Sequence, residues 1–345
     1  MAVSFDYKKR LGAGYFGEVW HAIDTGLNCE IALKCIPQEK IINKKNFYQE
    51  AQTLKAAEHP NITSVTETGQ LSDGQIYVVM EYLKNGSLED EAQGACIKLS
   101  RAKRLMIDIL RGLSHAHSKI IVHRDIKPAN IMIGDANEGK LSDFGLAIPD
   151  ISTLEISYLK KYQYILHLAP EVNEFEDYTN LSDIYACGAT FYRLVNGDVF
   201  LPRIPVHDAR SLALAGKFPD RSKYRHFIPR SVRMVINRAL NLDPGDRFQS
   251  ADDMRHAIEQ LSIKVDWEES LLPNGGILWK GQGDIFSYEI QLKQGTKNLW
   301  EIETRRGKNN CSLRRITALC HNDLAKVKAN STVSKILQNF VTGKA

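Results

Sequence analysis

The stretch Ile121–Gly145 reads IVHRDIKPANIMIGDANEGKLSDFG and brings Asp125, Lys127, Asn130 and Asp143 into one short passage. Apolar residues precede the polar loop, IMI follows Asn130, and KLS precedes Asp143, which predicts two short strands that hold the loop between them. Amide and carboxylate oxygens ligate hard cations such as Mg²⁺, and Lys127 offers a positive charge to a phosphoryl oxygen. The passage therefore predicts a site for metal and phosphate, with Asp125 left to face an acceptor hydroxyl.

HRD or DFG alone is most simply a polar turn, but HRDxKxxN followed by DFG, and later by LAPE at 168–171, is a long ordered pattern. It resembles the catalytic loop, the metal-binding loop and the end of the activation segment of the protein kinase family, over roughly residues 5 to 262. The resemblance implies an α+β, two-lobed protein-kinase-like fold. A β-rich N-lobe would occupy residues 1–83 and a helical C-lobe residues 84–262.

By the same resemblance, Asp125 and Lys127 are catalytic, Asn130 and Asp143 hold the metal, and ATP is the phosphate donor. Mg²⁺ is the expected metal, with Mn²⁺ as the alternative. Lys127 fits the pattern of serine/threonine kinases better than that of tyrosine kinases. The implied activity is transfer of the γ-phosphoryl group of ATP to serine and threonine hydroxyls of protein substrates, with autophosphorylation.

The composition is that of a folded globular protein, with 345 residues, 43% of them hydrophobic, 25% charged and a formal net charge of +4. This mildly basic balance does not by itself indicate a nucleic-acid partner, and we expect none. The six cysteines lack metal-ligand spacing, which favours reduced thiols in a cytoplasmic compartment. No apolar leader and no run of about 18 apolar residues occurs, so we expect no membrane anchor.

Near the start of the chain, Gly12, Gly14 and Gly17 form a GxGxxG pattern. In a dinucleotide-binding fold such glycines open a helix, whereas here EVWHAI continues as a strand. This context favours a hairpin that covers ATP phosphates, although plain hairpin glycines are the alternative. The nucleotide contacts implied here are Leu11, Gly12, Ala13, Gly14, Tyr15, Phe16, Gly17, Glu18 and Val19.

Lys34 lies in the apolar run IALK, where the family carries its phosphate-holding lysine. A solvated lysine at a sheet edge is the alternative, but the neighbours Ile31, Leu33 and Ile36 favour a mostly buried strand. The next stretch has helical spacing that places Glu50 on its inward face. By resemblance Glu50 pairs with Lys34 in the catalytic site, while an exposed surface glutamate is the alternative.

Residues 62–83 predict two further strands, and Asn85-Gly86-Ser87 then predicts a hinge to the second lobe. By resemblance, Met80 is the gatekeeper beside the adenine ring, which the backbone of Glu81 and Leu83 would bind. The ring would lie between apolar side chains that could equally be plain core. These are Val19, Ala32 and Met132.

The segment after DFG carries hydroxyl residues that could accept phosphate, namely Ser152, Thr153, Ser157 and Tyr158. A phosphate on one of them would face Arg124 and order the loop. Many serine/threonine kinases have a Gly-Thr pair before LAPE, where this chain has Gln163 and Tyr164. The resemblance therefore predicts the geometry of the acceptor site and the mode of activation less closely than it predicts the catalytic loop.

Two helical patterns flank these loops. The pattern from Ser100 puts Leu105, Ile109 and Leu113 on one stripe. The pattern TNLSDIYACGATFYRLVNG is apolar nearly all round, and we expect it to be opened by Ser182 or Asp183 and buried in the large lobe. By resemblance Asp183 holds the backbone of HRD, with an ordinary N-cap as the alternative. Arg247 is expected to form a buried ion pair with Glu171.

Residues 263–345 are expected to form a small accessory α+β domain. DWEESLLPNGG suggests a linker or first turn, and alternating runs such as Phe286-Tyr288-Ile290-Leu292 predict a β-hairpin or three-stranded sheet. Residues 311–342 are expected to be helical. The unit carries many basic residues, which favour a solvated face and leave a regulatory protein partner as a hypothesis.

Two other functions compete with a protein kinase. A pseudokinase or scaffold that signals through its C-terminal domain would not need the complete catalytic set that this sequence has. A small-molecule kinase of the aminoglycoside or choline type generally lacks LAPE, the following buried helix and the late arginine.

Overall fold

The computed structural model describes residues 4–14, 17–37, 55, 58–144, 165–173, 177–201, 205–273 and 275–344. Its first part is a five-stranded antiparallel sheet of order β1-β2-β3-β5-β4. Apolar side chains cover both faces of this sheet, as the sequence predicts for β3. The strands are β1 Phe5–Gly14, β2 Gly17–Asp24, β3 Cys29–Ile36, β4 Val65–Gln70 and β5 Ile76–Glu81.

A mainly helical part follows the sheet, so the two-lobed α+β fold class is confirmed. The loop quoted above lies between its helices and contains the predicted pair of short strands, which pair with each other. The buried stripe of α2 includes the predicted leucines and isoleucine, each at most 1% exposed. The elements are α1 Leu88–Ala92, α2 Leu99–Ser118, β6 Ile131–Ile133, β7 Gly139–Leu141, α3 Asn180–Asn196, α4 Val206–Leu214, α5 Arg230–Ala239 and α6 Ala251–Glu259.

Helix α3 begins earlier than predicted. Thr179 is its N-cap and accepts hydrogen bonds from the backbone N–H groups of Leu181 and Ser182, while the Ser182 hydroxyl accepts from the Thr179 N–H. This reciprocal capping box replaces the predicted cap at Ser182 or Asp183. Asp183 therefore lies inside the first turn of the helix, and its carboxylate does not serve as the helix cap.

The C-terminal part is larger and more β-rich than predicted. It forms a six-stranded sheet of order β12-β11-β10-β9-β8, with β13 also paired to β11, and one long helix. The stretch expected to be a linker is strand β8, because Trp267 and Val265 are buried and anchor it. The elements are β8 Val265–Leu271, β9 Ile277–Gly283, β10 Phe286–Gln294, β11 Trp300–Lys308, β12 Arg314–Arg315, β13 His321–Leu324 and α7 Lys326–Thr342.

The expectation of helix from residue 311 is wrong, since helix begins only at Lys326. The preceding residues are strand and 3-10 turn, because the edge of β11 supplies their hydrogen bonds. The Ile316 N–H donates to the Thr304 carbonyl at 2.8 Å, and the Thr304 hydroxyl donates to the Leu319 carbonyl at 2.9 Å. Ile316 and Leu319, three residues apart, pack against the core from this edge without forming a helix.

One hydrophobic core runs through the helical part and into the C-terminal sheet. Trp279 in β9 is fully buried, and its ring contacts that of His226 edge-on, with the centroids 5.6 Å apart. The Gln338 side chain of α7 donates to the His226 carbonyl at 2.9 Å. The C-terminal sheet and helix are therefore docked on the helical part by both packing and hydrogen bonds.

Candidate active site

The catalytic loop is held in place by Asp183, whose side chain is 1% exposed. Its carboxylate accepts hydrogen bonds from the backbone N–H of His123 at 2.7 Å and of Arg124 at 2.8 Å, and contacts the His117 ring at 2.9 Å. Arg124 has a left-handed backbone, with φ of 72°. A buried carboxylate with such donors is well satisfied, so it fixes this strained turn at the point where the loop begins.

His123 is fully buried and connects the two ends of the site. Its Nδ1 accepts from the Asp125 N–H at 3.3 Å, and its Nε2 lies 3.1 Å from the Ser142 carbonyl. Burial lowers the pKa of His123, against the opposing charges of Asp183 and Asp125. The neutral ring with its proton on Nε2 satisfies both contacts, so it joins Asp125 to the residue next to Asp143.

Asp125, Lys127 and Asn130 meet in one hydrogen-bonded cluster. The Lys127 ammonium lies 2.9 and 2.7 Å from the two carboxylate oxygens of Asp125. The Asn130 amide nitrogen donates at 2.8 Å to both the Asp125 carbonyl and its Oδ2. The Asp125 side chain is 21% exposed, so it remains open to a hydroxyl from outside. Because Asn130 uses its nitrogen here, its amide oxygen is the atom left to bind a cation.

Lys34 reaches Asp143 across the cleft between the sheet and the catalytic loop. Its ammonium lies 2.6 Å from the Asp143 Oδ1, although 109 residues separate the two in sequence. Burial would raise the pKa of Asp143, but the charge and hydrogen bond of Lys34 outweigh it and hold that pKa below its usual value. Asp143 is therefore a carboxylate near neutral pH.

The donor set around Asp143 suits a hard cation that also contacts phosphate. Asn130 and Asp143 offer oxygens only, as Mg²⁺ prefers, and Mg²⁺ is commonly held by one or two carboxylates or amides together with substrate phosphates. No group of three or more His, Cys, Asp or Glu side chains capable of holding a metal occurs among the residues described.

The glycine hairpin joins β1 to β2, with Gly14 opposite Gly17 and Gly12 opposite Val19. Gly17 has φ of 131°, and a Cβ on it would lie 1.9 Å from the Cys35 carbonyl oxygen. At Gly12 a Cβ would meet no protein atom within 4 Å. Gly17 is thus required by the fold, whereas the space at Gly12 is open to a ligand.

Val19, Ala32 and Met80, which are expected to line the adenine site, belong to one apolar cluster on the sheet. The Glu81 N–H is donated to the Ser64 carbonyl at 3.1 Å. The Leu83 N–H has no hydrogen-bonded acceptor among the described residues, so it can donate to a ligand. Met132 lies in β6 below, half-buried and bridged through its backbone to Ser87.

Several predicted residues fall outside the described ranges. These are Tyr15, Phe16, Glu50, Gln163, Tyr164 and the four candidate phosphate acceptors Ser152, Thr153, Ser157 and Tyr158. The described members that complete the hairpin are Leu11, Ala13 and Glu18, of which Glu18 forms an ion pair with Arg10 at 2.8 Å.

Two features of the site escaped the sequence analysis. Lys140 in β7 binds both carboxylate oxygens of Glu81 at 2.9 and 3.0 Å, which ties the hinge to the catalytic loop. Thr63 lines a small cavity behind Met80 together with Lys34 and Phe144, and its hydroxyl has no partner among the described residues. No local pattern marks either residue, because both are defined by neighbours far away in sequence.

The expected ion pair between Arg247 and Glu171 is present. The two Nη atoms of Arg247 each lie 2.7 Å from a different carboxylate oxygen of Glu171, and the arginine is fully buried. Arg247 also donates to the Leu181 carbonyl at 2.8 Å. This two-pronged contact fixes the end of the LAPE segment to the helical part.

Sequence comparison agrees with this geometry, since the family model for the protein kinase domain matches residues 5–258. The chain belongs to the protein kinase family. It is 32% identical over 260 residues to the serine/threonine-protein kinase PrkC of Bacillus subtilis, a match that covers 72% of this chain and 39% of PrkC. It is 30% identical over 261 residues to the serine/threonine-protein kinase PknJ of Mycobacterium tuberculosis, covering 72% of this chain and 44% of PknJ.

A plant relative, CBL-interacting protein kinase 26 of Oryza sativa, is 27% identical over 294 residues, which cover 81% of this chain and 56% of that kinase. The chain thus spans about half or less of the length of these relatives. Within the described ranges, no helix of this kinase-family chain is both long and apolar enough to cross a bilayer.

Proposed function

We propose that this chain is a serine/threonine protein kinase that transfers the γ-phosphoryl group of ATP to hydroxyls of protein substrates, including its own. The supporting observation is the meeting of two groups across one cleft. Asp125, Lys127 and Asn130 are hydrogen-bonded together on the loop side, and Lys34 reaches Asp143 of that side from the sheet. The names of the relatives support the same activity.

In this mechanism Lys34 holds the phosphates of ATP under the glycine hairpin, and Glu50 orients Lys34. The open space at Gly12 lets the backbone approach the phosphates. Asp143 and Asn130 would hold Mg²⁺, which would neutralise charge on the phosphate oxygens. Mn²⁺ takes the same oxygen ligands and is the alternative metal.

Asp125 orients the acceptor hydroxyl and accepts its proton, and Lys127 stays beside it to offset charge on the moving phosphoryl group. The adenine ring lies between Val19 and Ala32 on one side and Met132 on the other, and the Leu83 N–H donates to it. Most of the rate enhancement would come from positioning and electrostatics, since no covalent nucleophile is needed.

The test is intact-mass analysis of the purified chain after incubation with Mg²⁺ and ATP, beside Asp143→Asn. We expect the wild-type chain alone to gain phosphate, with peptide mapping to show whether Ser152, Thr153, Ser157 or Tyr158 accepts it. If neither form gains phosphate and neither phosphorylates an added basic protein, the kinase proposal is wrong. The scaffold alternative would then replace it.

We also propose three functional units, with residues 1–83 and 84–262 as the kinase lobes and residues 263–345 as an accessory domain for a regulatory protein partner. A cytoplasmic location is proposed with them. It is supported by the six cysteines, which are all free thiols, with Cys35 and Cys187 buried. Mass analysis of the freshly prepared protein with and without thiol alkylation would detect any disulfide that argues against it.

A further inference from the structure

The C-terminal sheet has an unusual row of side chains on one face. The row takes one residue from each of five neighbouring strands, all in register. They are Trp267 in β8, Gly281 in β9, Tyr288 in β10, Arg306 in β11 and Arg314 in β12. The next row adds Phe286 opposite Lys308. We call Phe286, Tyr288, Arg306, Lys308 and Arg314 the basic aromatic face.

The two arginines of this face stand directly opposite each other on neighbouring strands, an arrangement that repels and destabilises a sheet. Both are exposed. In the part of the chain that the structure describes, neither Arg306 nor Arg314 forms an ion pair with a carboxylate. Arg306 instead lies over the Phe286 ring, 4.9 Å from its centroid.

The reverse face of the same strands provides an internal comparison. There Arg305 stands opposite Arg315, again a like-charge pair. Arg305, however, is compensated by Glu303 at 3.0 Å and Glu289 at 3.8 Å. Carboxylates of the protein therefore neutralise Arg305 on the reverse face, whereas none among the described residues neutralises Arg306 or Arg314.

An open cleft adjoins the uncompensated pair. Phe286, Tyr288 and Phe340 wall it, and the glycines Gly283 and Gly343 leave its floor without side chains. Lys264 adds another positive charge, whereas Asp284 at the tip of the hairpin is the negative group on its rim. The aromatic walls of the cleft suit an apolar side chain next to the anion.

The chemistry of the face favours a phosphorylated protein segment. A phosphoryl group carries about −1.5 to −2 charges at neutral pH, which matches two guanidinium groups better than a single carboxylate does. Each guanidinium can donate to phosphate in a bidentate manner. Nucleic acid is disfavoured, because its bases stack on aromatic rings whose faces are exposed. Here Tyr288 packs on Phe340, with the ring centroids 4.5 Å apart, and Arg306 covers the ring of Phe286.

We propose that the basic aromatic face binds a phosphorylated protein segment, with the phosphate between Arg306 and Arg314 and a neighbouring apolar residue in the cleft. The inference rests on the proposed function in that a kinase supplies such segments and residues 263–345 serve a partner. Binding by synthetic phosphopeptides needs no catalysis, so it can fail or succeed independently of phosphoryl transfer.

The experiment measures fluorescence polarisation with the full chain, without ATP. The probes are a labelled degenerate peptide library with a central phosphoserine, the same library with serine, and an oligo-dT strand. The variants are the double substitution Arg306→Gln with Arg314→Gln and the matched control Arg305→Gln with Arg315→Gln. The control removes the same two charges from the same two strands, on the other face.

We expect the phosphorylated library to bind the wild-type chain at least about tenfold more tightly than the serine library. This preference should be lost in the Arg306/Arg314 variant and kept in the Arg305/Arg315 variant. Equal loss in both variants would mean a net-charge effect only and would overturn the proposal. No preference for the phosphorylated library, or tighter binding of oligo-dT, would overturn it as well.

Discussion

Arg225 and Glu269 form an ion pair of 2.6 Å that joins the helical lobe to strand β8 of the C-terminal sheet. The same glutamate accepts a hydrogen bond from the Trp279 indole at 2.8 Å, and Arg225 donates to the Asn196 carbonyl at 2.8 Å. These contacts pass from the end of α3 to β8 and β9, the last two strands at one edge of the C-terminal sheet. The sheet is therefore attached through a satisfied polar network over a continuous apolar core.

Replacing Trp279 by alanine should destabilise the whole chain and not only its C-terminal part. The side chain is fully buried, and loss of a buried tryptophan costs about 3–5 kcal/mol. Urea unfolding followed by far-UV circular dichroism should show an earlier transition that includes the helical lobe. Leu271→Ala is the control, because Leu271 is 80% exposed. If the variant lost only the signal of the C-terminal sheet at lower urea, while the transition of the helical lobe did not move, the two parts would not share one core.

Arg247→Met should destabilise the protein by about 3–5 kcal/mol, since it leaves the Glu171 carboxylate without its partner at a largely buried site. The double variant Arg247→Met with Glu171→Gln should recover part of that loss, because no uncompensated charge remains. Chemical denaturation of the single and double variants forms the measurement. A double variant no more stable than Arg247→Met alone would speak against the charge explanation.

The two glycines of the hairpin should respond differently to the same added methyl group. Gly17→Ala should lower the melting temperature, because its backbone has φ of 131° and the Cβ would meet Cys35. Gly12→Ala should leave the melting temperature unchanged and raise the KM for ATP, since its Cβ points into open space. Thermal melts and ATP titrations of both variants test this, and equal melting temperatures would refute it.

The stability of the contact between the lobe and the C-terminal helix should depend on pH. Burial lowers the pKa of His226, with Glu269 opposing, and the ring is hydrogen-bonded to the Ser334 hydroxyl at 2.8 Å. The pKa of His226 is therefore lower in the folded protein than in the unfolded protein, where it is about 6.5. Neutral His226 contributes fully to the free energy of unfolding above that unfolded value. This contribution is lost as the pH falls below it towards the folded-state pKa.

The measurement compares wild type with His226→Gln by urea unfolding at several pH values. The wild-type advantage in free energy of unfolding should shrink as the pH falls from neutral towards acid. An advantage that stays constant, or grows, would show that His226 is not titrating in this window.

Asp125→Ala and Lys34→Ala should each abolish phosphoryl transfer without unfolding the chain. Loss of a general base typically costs about 10²- to 10⁴-fold in rate. Rates are measured with a generic protein substrate, and circular dichroism checks the fold. Lys84→Ala is the control for Lys34, because Lys84 is a lysine of the hinge region that is 69% exposed. Normal turnover by either active-site variant would refute the site.

The catalytic loop is predictable from sequence because its residues are neighbours in the chain. Asp125, Lys127 and Asn130 lie within six positions, and their hydrogen bonds follow from one short loop. The same holds for the strands of the first sheet, whose period and turn residues are local. The helix expected from residue 311 failed for the opposite reason, since the free edge of β11 decided that backbone.

By itself, the sequence determined the kinase family and the two-lobed fold and predicted the residues of the cleft, because local patterns and ordered motifs carry that information. Only the tertiary structure decided which distant groups meet. It placed Lys34 beside Asp143 and Arg306 opposite Arg314. Such pairings depend on strand register and on the packing of elements that are distant in sequence, and the spacing of nearby residues determines neither.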